Sequence, residues 1–365
     1  MLEDPAAHGV DLDRTMVLHE LTRDEWPATR AHAEQFVLSL LRENRVRLVQ
    51  VARASRSLKI TVMDDSRQSQ RIIERGPWAL WDEYETGGAV PQQGGIRLCL
   101  HAKGKVGDAL IAPEIGDRPF RQVMGFNADE AGRSRRDEAA RKNPLRQGVY
   151  PLIDRGRGRE RCEAFLYERF GVRWEKSYCS FCFPVSMGAM DAHLDRMRAH
   201  PDIAGRALRL EYTSVSLNPQ AKLFGRRSLL EQFDPGRGED RPVLAAFEEE
   251  LTCPWALYHV RRILPVSKAD PTRRGRPMRS VERVHVGSWQ ATPSATPRTL
   301  PPRAPRPIIR RCSQLGSRDS SRAQRTCTAG EPLPTVDRSS LAPCMVITAA
   351  QGAFSASRAS AVGST

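Results

Sequence analysis

Short apolar runs typical of strands alternate with segments that carry the apolar spacing of helices over much of the first half of the chain. Pro27, which precedes the first helical segment, is typical of an early helical position. The predicted elements are strand 15–21 (TMVLHEL), helix 31–43, strand 47–52 (RLVQVA), strand 121–125, helix 129–142, strand 150–153 and helix 160–170. This alternation predicts an α/β fold in which helices cover the faces of a parallel sheet.

The pattern changes after Pro184. Amphipathic helical segments follow at residues 187–199, 227–233 and 242–251. Residues 255–264 and 279–287 alternate apolar and polar side chains, which predicts an antiparallel ribbon that closes this region. We therefore place an α/β domain in residues 1–184 and a helical region with a β-ribbon in residues 185–292.

Residues 293–365 form a tail rich in proline, serine, threonine, arginine and alanine, with Phe354 as its only aromatic residue. Such a composition cannot bury enough apolar surface to order itself, so we predict a disordered tail. The tail has ten arginines against three acidic residues. Two other interpretations stay open: an electrostatic arm that binds nucleic acid, and out-of-frame translation past the natural end.

The formal net charge of +14 points to a nucleic-acid partner, but half of this charge lies in the tail. Only seven of the 57 basic residues are lysines, and we interpret so uniform an arginine bias as coding composition rather than a binding surface. No apolar run approaches the roughly 20 residues of a membrane span, and the N-terminus (MLEDP) is acidic where a signal peptide is basic and then apolar. We therefore expect a cytoplasmic protein without a membrane partner.

The eight cysteines are too sparse and irregular for a secreted disulfide scaffold. Cys179 and Cys182 form a CxxC motif, whose spacing lets two thiolates turn toward one metal ion or cluster. Cys99, in a glycine-rich segment before a predicted helix, is the best third ligand. The candidates for a fourth ligand are Cys162 and Cys253. We predict an iron–sulfur cluster, with zinc as the alternative, against the simpler interpretation of buried apolar thiols.

Five sequence segments, in order, resemble one known family. They are 17–27 (VLHELTRDEWP), 94–99 (GGIRLC), 125–136 (GFNADEAGRSRR), 150–154 (YPLID) and 176–183 (KSYCSFCF). Over residues 11–287 the chain resembles the phosphoadenosine-phosphosulfate (PAPS) reductase-like family of the PP-loop ATP pyrophosphatases, within the adenine nucleotide alpha hydrolase-like superfamily.

The resemblance implies a Rossmann-like sheet that binds an adenine nucleotide, ATP or PAPS, at the carboxyl ends of its strands, with the α-phosphate as the point of attack. It also implies that Asp129, Glu130, Arg133 and Arg136 line the nucleotide site, where arginines meet phosphate or sulfate oxygens. A solvated helix face is the alternative for these four charges. The implied activity is sulfur activation or transfer, by a transferase or an oxidoreductase.

Two departures from the family pattern bear on activity. The SGGxDS phosphate-binding loop and the strand before it have no counterpart ahead of Thr15, and the C-terminal cysteine motif of true sulfonucleotide reductases is not found. Either the start site is misassigned or the chain is a truncated relative, for which loss of activity is one open interpretation. A different class of function stays open: a nucleic-acid-associated protein of a DNA-modification or mobile locus, which binds through its basic residues. The sequence predicts neither catalytic residues nor an oligomeric state.

Overall fold

A computed structural model of the chain describes residues 4–91, 98–140, 143–182, 189–224, 227–252, 255–263, 272, 278–287 and 344–348. All of these residues belong to one compact unit, Met1–Ser294 together with Pro343–Thr365. A second unit, Ala295–Ala342, lies outside the described residues. Among the helices that can be described, none is long and apolar enough to span a bilayer.

The described chain forms a mixed α/β structure with two sheets. The strands are β1 (Thr15–Glu20), β2 (Arg47–Arg53), β3 (Ile60–Ser66), β4 (Phe120–Met124), β5 (Arg146–Val149), β6 (Trp255–Ile263), β7 (Met278–Gly287) and β8 (Cys344–Thr348). The larger sheet has the strand order β3-β2-β1-β8-β4-β5. Its neighbouring strands run parallel, except that β3 pairs antiparallel with β2.

Strand β8 occupies a central position in the larger sheet, although it comes from the tail. Val346 pairs with Met16 of β1 on one side and with Gln122 of β4 on the other, and both pairings are parallel. The run CMVIT is apolar and contains β-branched residues, a composition typical of central parallel strands. The prediction that residues 293–365 are disordered is therefore wrong for this segment. The tail supplies a central strand that the sequence pattern did not predict.

The described helices are α1 (Pro27–His32), α2 (Leu38–Glu43), α3 (Leu80–Thr86), α4 (Cys99–Ala102), α5 (Gly104–Ile115), α6 (Ala131–Ala139), α7 (Pro151–Asp154), α8 (Arg159–Phe170), α9 (Met190–Ala199), α10 (Pro201–Leu217) and α11 (Arg241–Glu250). The sequence pattern did not predict α3, α4 or the 17-residue helix α10. Pro27 begins α1, as predicted, and a π-helical segment (Ala33–Val37) joins α1 to α2. Helix α6 follows a short 3-10 turn, Ala128–Glu130.

Two predicted elements are wrong. The predicted strand 150–153 is instead helix α7, because Pro151 has no backbone N–H to donate to a ladder and fits the first turn of a helix. The strand at this place, β5, ends at Val149. The predicted helix 227–233 is reduced to a single 3-10 turn, Leu230–Gln232. The antiparallel ribbon is confirmed, since β6 pairs with β7.

Helix α5 packs across the larger sheet and brings its first turn to the carboxyl end of β1. Val106, Ile111 and Ile115 of this helix pack against Leu18, Val49 and Val51 of the sheet. Gly107 allows the close approach, because a Cβ at this position would meet Glu20 Oε1 at 2.7 Å and the Leu18 side chain at 3.2 Å. The α5 backbone therefore lies directly beside the Glu20 carboxyl.

The largest apolar cluster draws on both sides of residue 184. Trp26, Trp81 and Phe181 are buried together with residues of the helices that follow. Those later members include Met197, Leu208 and Phe247. Because one cluster contains both groups, residue 184 does not separate two independent cores.

Candidate functional site at the carboxyl edge of the sheet

The carboxyl ends of β1, β8 and β4 meet at one edge of the larger sheet, because these neighbouring strands run parallel. Strand β2 lies beside β1, and strand β5 lies beside β4. The connections that leave β1 and β4 therefore lead away from β8 in opposite directions. In open parallel sheets, ligands bind outside the carboxyl ends of the strands where the chain connections diverge in this way. The residues at this edge therefore form the candidate site.

A largely buried group of polar side chains follows the end of β1. Lys103 Nζ donates to Glu25 Oε1 at 3.2 Å, and the two side chains are 21% and 17% exposed. Thr22 Oγ1 also donates to Glu25 Oε1, at 3.2 Å, and Ser177 Oγ donates to Glu25 Oε2 at 3.3 Å. The Glu25 carboxylate therefore joins residues from three separate segments of the chain.

The ionisable groups of this site strongly influence one another. Burial raises the pKa of Glu20 to about 7, and Lys103 opposes this rise. Burial by itself lowers the pKa of Lys103, but Glu25, Cys179 and Glu20 outweigh it, so the net shift is upward. Burial raises the pKa of the Cys179 thiol well above its usual range. Near neutral pH the site therefore holds a firmly charged ammonium, a protonated thiol and a carboxyl that is close to its titration midpoint.

Segment 176–182 lies across the site. Cys179 forms an isolated antiparallel bridge with Glu25, and the Ser180 backbone N–H donates to the Asp24 carbonyl at 3.0 Å. The Cys182 N–H donates to the Cys179 carbonyl at 2.8 Å, so the CxxC motif forms a turn. The backbone contacts fix this segment against the residues that follow β1.

A second, basic cluster lies after the carboxyl end of β4 and consists of Arg133, Arg159 and Lys176. The pKa of Lys176 is lowered to about 8, mainly by burial and also by Arg159 and Arg133, while Glu130 and Cys182 oppose the shift. Arg133 Nη1 lies 2.6 Å from Glu130 Oε1, and its guanidinium stacks 4.4 Å from the centre of the Phe126 ring. Arg133 is paired with Glu130, and Arg159 is paired with Glu163 at 2.6 Å, so carboxylates already neutralise part of the positive charge of the cluster. A bound anion would add further charge-assisted contacts there.

The four residues predicted to bind nucleotide are therefore in different environments. Glu130 and Arg133 lie beside Lys176. Asp129 accepts the backbone N–H of Arg159 at 2.7 Å and so caps the start of α8. Arg136 Nε donates to the Gly132 carbonyl of its own helix at 2.9 Å. Lys103, Lys176 and Glu20 were not predicted as site residues, because their proximity is created by folding.

An apolar cleft of about 240 Å³ adjoins the β1 side of the site. Val17 and Leu48 of the sheet and Leu38 of α2 form part of its wall. His19, Thr22, Glu25, Trp174 and Ser177 also line it. Trp174 and Ser177 flank Lys176 in sequence, so one short segment lines the cleft and contributes to the basic cluster. A mostly apolar cleft with a few polar groups is a typical small-molecule site.

The three cysteines predicted to hold a cluster are neighbours of one tyrosine. Burial raises the pKa of the Tyr84 hydroxyl, and the ionised thiols of Cys99, Cys179 and Cys182 would raise it further. Among the described residues, however, no three Cys, His, Asp or Glu side chains are arranged to hold a metal ion. In this arrangement the thiols do not fit a cluster, and the cluster stays a prediction. Of the fourth-ligand candidates, Cys162 lies on α8, and Cys253 lies outside the described residues.

Replacing Glu20 by glutamine is expected to stabilise the protein at alkaline pH. Folding raises the pKa of Glu20 from 4.5 to about 7, so the folded state holds this proton more tightly than the unfolded chain. The contribution of Glu20 to stability is greatest below its unfolded pKa and falls as pH rises toward 7. Glu20→Gln should therefore raise the free energy of unfolding by about 3 kcal/mol near pH 8 and by little near pH 4.

The measurement for Glu20 is urea denaturation of both proteins across this pH range. The difference between the free energies of unfolding of the two proteins at each pH reports Glu20 alone. The Asp24 carboxyl, whose pKa burial also raises to about 7, is present in both proteins and cancels. A difference in the free energy of unfolding that does not change with pH would contradict a raised pKa at Glu20.

The chain was compared with known proteins. No family model matches the sequence, and neither a curated protein nor a solved structure matches it. The PAPS reductase-like resemblance therefore depends on its five sequence segments, and membership of the family stays a prediction.

Proposed function

We propose that this chain binds an adenine nucleotide, ATP or PAPS, at the carboxyl edge of a Rossmann-like sheet. The observation that carries the proposal is the position of β8 between β1 and β4, with connections that diverge on either side of it. Segments 17–27, 125–136 and 176–183, which suggested the family, contribute residues to this edge. The convergence supports the proposal because these segments lie far apart in the sequence.

The chemistry of the two parts of the site suits the two parts of a nucleotide. The apolar cleft with Trp174 provides surface for a flat, weakly polar base. The basic cluster of Arg133, Arg159 and Lys176 provides charge-assisted donors for phosphate or sulfate oxygens. Segment 174–177 connects both parts, so one ligand would contact both through neighbouring residues.

The reaction within this proposal is attack by an oxygen of the acceptor on the α-phosphate of ATP. A bond forms between that oxygen and phosphorus, the bond to the β-phosphate bridge breaks, and pyrophosphate leaves, so that the adenylylated acceptor is activated for sulfur transfer. Lys103 and Lys176 would stabilise the negative charge that develops on the phosphate oxygens. Glu25 orients Lys103 through their 3.2 Å contact. An iron–sulfur cluster has no part in these steps, because the thiols do not form a ligand set among the described residues.

Calorimetric titration of the full-length protein with ATP and with PAPS tests the binding proposal. Lys176→Gln and Arg133→Gln should each weaken binding by about tenfold or more, since each removes a charge-assisted contact. The matched controls are Lys59→Gln and Arg135→Gln; both residues are exposed, and Arg135 lies on the same helix as Arg133. The controls should bind as the wild type does.

Failure of the wild type to bind either nucleotide would overturn the proposal. Equal losses in the control variants would also overturn it, because the binding would then depend on overall charge.

A further inference from the structure

Helix α8 presents large side chains to solvent. Each of its twelve residues, all of which the structure describes, is exposed or half-buried. Phe165 is 47% exposed and Tyr167 is 56% exposed. A large aromatic side chain that is half exposed on a helix is typical of an interaction surface, because a binding partner can bury the exposed part of the ring.

Charge and aromatic character are organised along this helix. Arg161, Phe165 and Arg169 are spaced four residues apart, so they form one stripe, and all three are exposed. From Arg161 to Arg169 the stripe runs for roughly 12 Å along the helix axis. We call these three residues the α8 stripe. Two further exposed arginines, Arg155 and Arg173, lie just beyond the two ends of α8.

The acidic residues of α8 lie mainly on another face. Glu160, Glu163 and Tyr167 follow helical spacing on a separate side, and Glu163 lies 2.6 Å from Arg159 in an ion pair. Glu168 is the acidic residue nearest to the stripe by helical position. The stripe therefore combines two arginines, one aromatic ring and one flanking carboxylate, with arginines at both ends of the helix.

We propose that the α8 stripe binds single-stranded nucleic acid. Phe165 stacks on a base, and Arg161 and Arg169 contact the flanking phosphates. Aromatic rings interleaved with cations are the common means by which proteins hold single strands without sequence preference. Charge complementarity favours this partner over a second copy of the chain, because the same stripe on a second copy would bring like charges together.

This proposal is independent of nucleotide binding at the sheet edge, and it differs from binding through the tail. The test is fluorescence anisotropy of the full-length protein with labelled single-stranded DNA and RNA of about twenty nucleotides, titrated over a range of salt. Phe165→Ala should weaken binding by about tenfold. Arg161→Ala with Arg169→Ala should reduce the magnitude of the salt slope by about 1.4, because each phosphate contact to a single strand contributes about 0.7.

Matched controls separate the stripe from general charge and hydrophobicity. Leu251→Ala removes an exposed apolar side chain of comparable exposure, 44%, and Arg241→Ala removes an exposed arginine on α11. Both should leave binding unchanged. ATP binding should also be unchanged in Phe165→Ala, so failure of this proposal is distinguishable from failure of the nucleotide proposal.

Three outcomes would overturn the proposal. The first is the absence of salt-dependent binding by the wild type. The second is binding that survives the stripe variants but is lost in Arg310→Ala with Arg311→Ala, which would assign it to the tail. The third is an oligomer that sediments more slowly after Phe165→Ala while nucleic-acid binding persists, which would assign the stripe to self-association.

Discussion

Val346→Pro is expected to disrupt the larger sheet and to abolish nucleotide binding. Val346 is the middle residue of β8 and pairs with Met16 on one side and with Gln122 on the other. Proline has no backbone N–H, and a proline within a central strand breaks the ladder. The free energy of unfolding should fall by about 3 kcal/mol or more. Circular dichroism during urea denaturation measures this change.

A proline placed elsewhere in the tail is the matched control. Ala329→Pro changes a residue of the tail segment between β7 and β8, which lies outside the described part of the chain. Because the composition of this segment predicts disorder, we expect the denaturation midpoint to stay unchanged. If Val346→Pro unfolds at the wild-type midpoint, β8 does not pair between β1 and β4. The carboxyl edge would then lack its central strand, and the candidate site would need to be redrawn.

The second large effect is expected at Glu211 of α10. This carboxylate is 2% exposed and accepts the backbone N–H groups of Leu223 at 2.6 Å and of Leu229 at 2.7 Å. Alanine at this position leaves both buried donors without their acceptor. Each unsatisfied buried group costs about 1–3 kcal/mol, so Glu211→Ala should lower the free energy of unfolding by about 3–5 kcal/mol.

Chemical denaturation also measures the effect at Glu211. Glu248→Ala on α11 is the control, because Glu248 is exposed and its loss should change stability by less than about 0.5 kcal/mol. Equal midpoints for Glu211→Ala and Glu248→Ala would show that the loop at 223–230 does not depend on Glu211.

Local sequence predicts the elements whose apolar pattern is self-contained. β1, β2 and β4 are short apolar runs that become buried, and α1 begins at Pro27 because its fixed φ suits the first helical position. The ribbon of β6 and β7 follows from the alternation of apolar and polar side chains in the two segments.

Tertiary pairing decides the elements that local pattern does not predict. β8 is five residues long within a tail of disorder-prone composition, and it is stabilised by ladders to β1 and β4, which are distant in sequence. β3, which the sequence pattern did not predict either, is an antiparallel edge strand with half-exposed residues, so it lacks a clear alternation between buried and exposed positions.

The candidate site is predictable only in part. Glu130 and Arg133 can be predicted because they follow the end of an apolar strand. Lys103, Lys176 and Glu20 cannot, because each acquires its role when α5 and segment 176–182 fold over the strand ends. Sequence spacing indicates which residues share an element, and it does not indicate which elements will meet.

The most direct test of nucleotide binding at the carboxyl edge is photolabelling with an azido-adenine nucleotide, followed by peptide mapping. We expect label on peptides that contain Thr22, Trp26 or Trp174, and excess ATP should suppress this label. ATP-sensitive label found only on α11 or on the ribbon of β6 and β7 would contradict binding at the carboxyl edge, as would a complete absence of ATP-sensitive label.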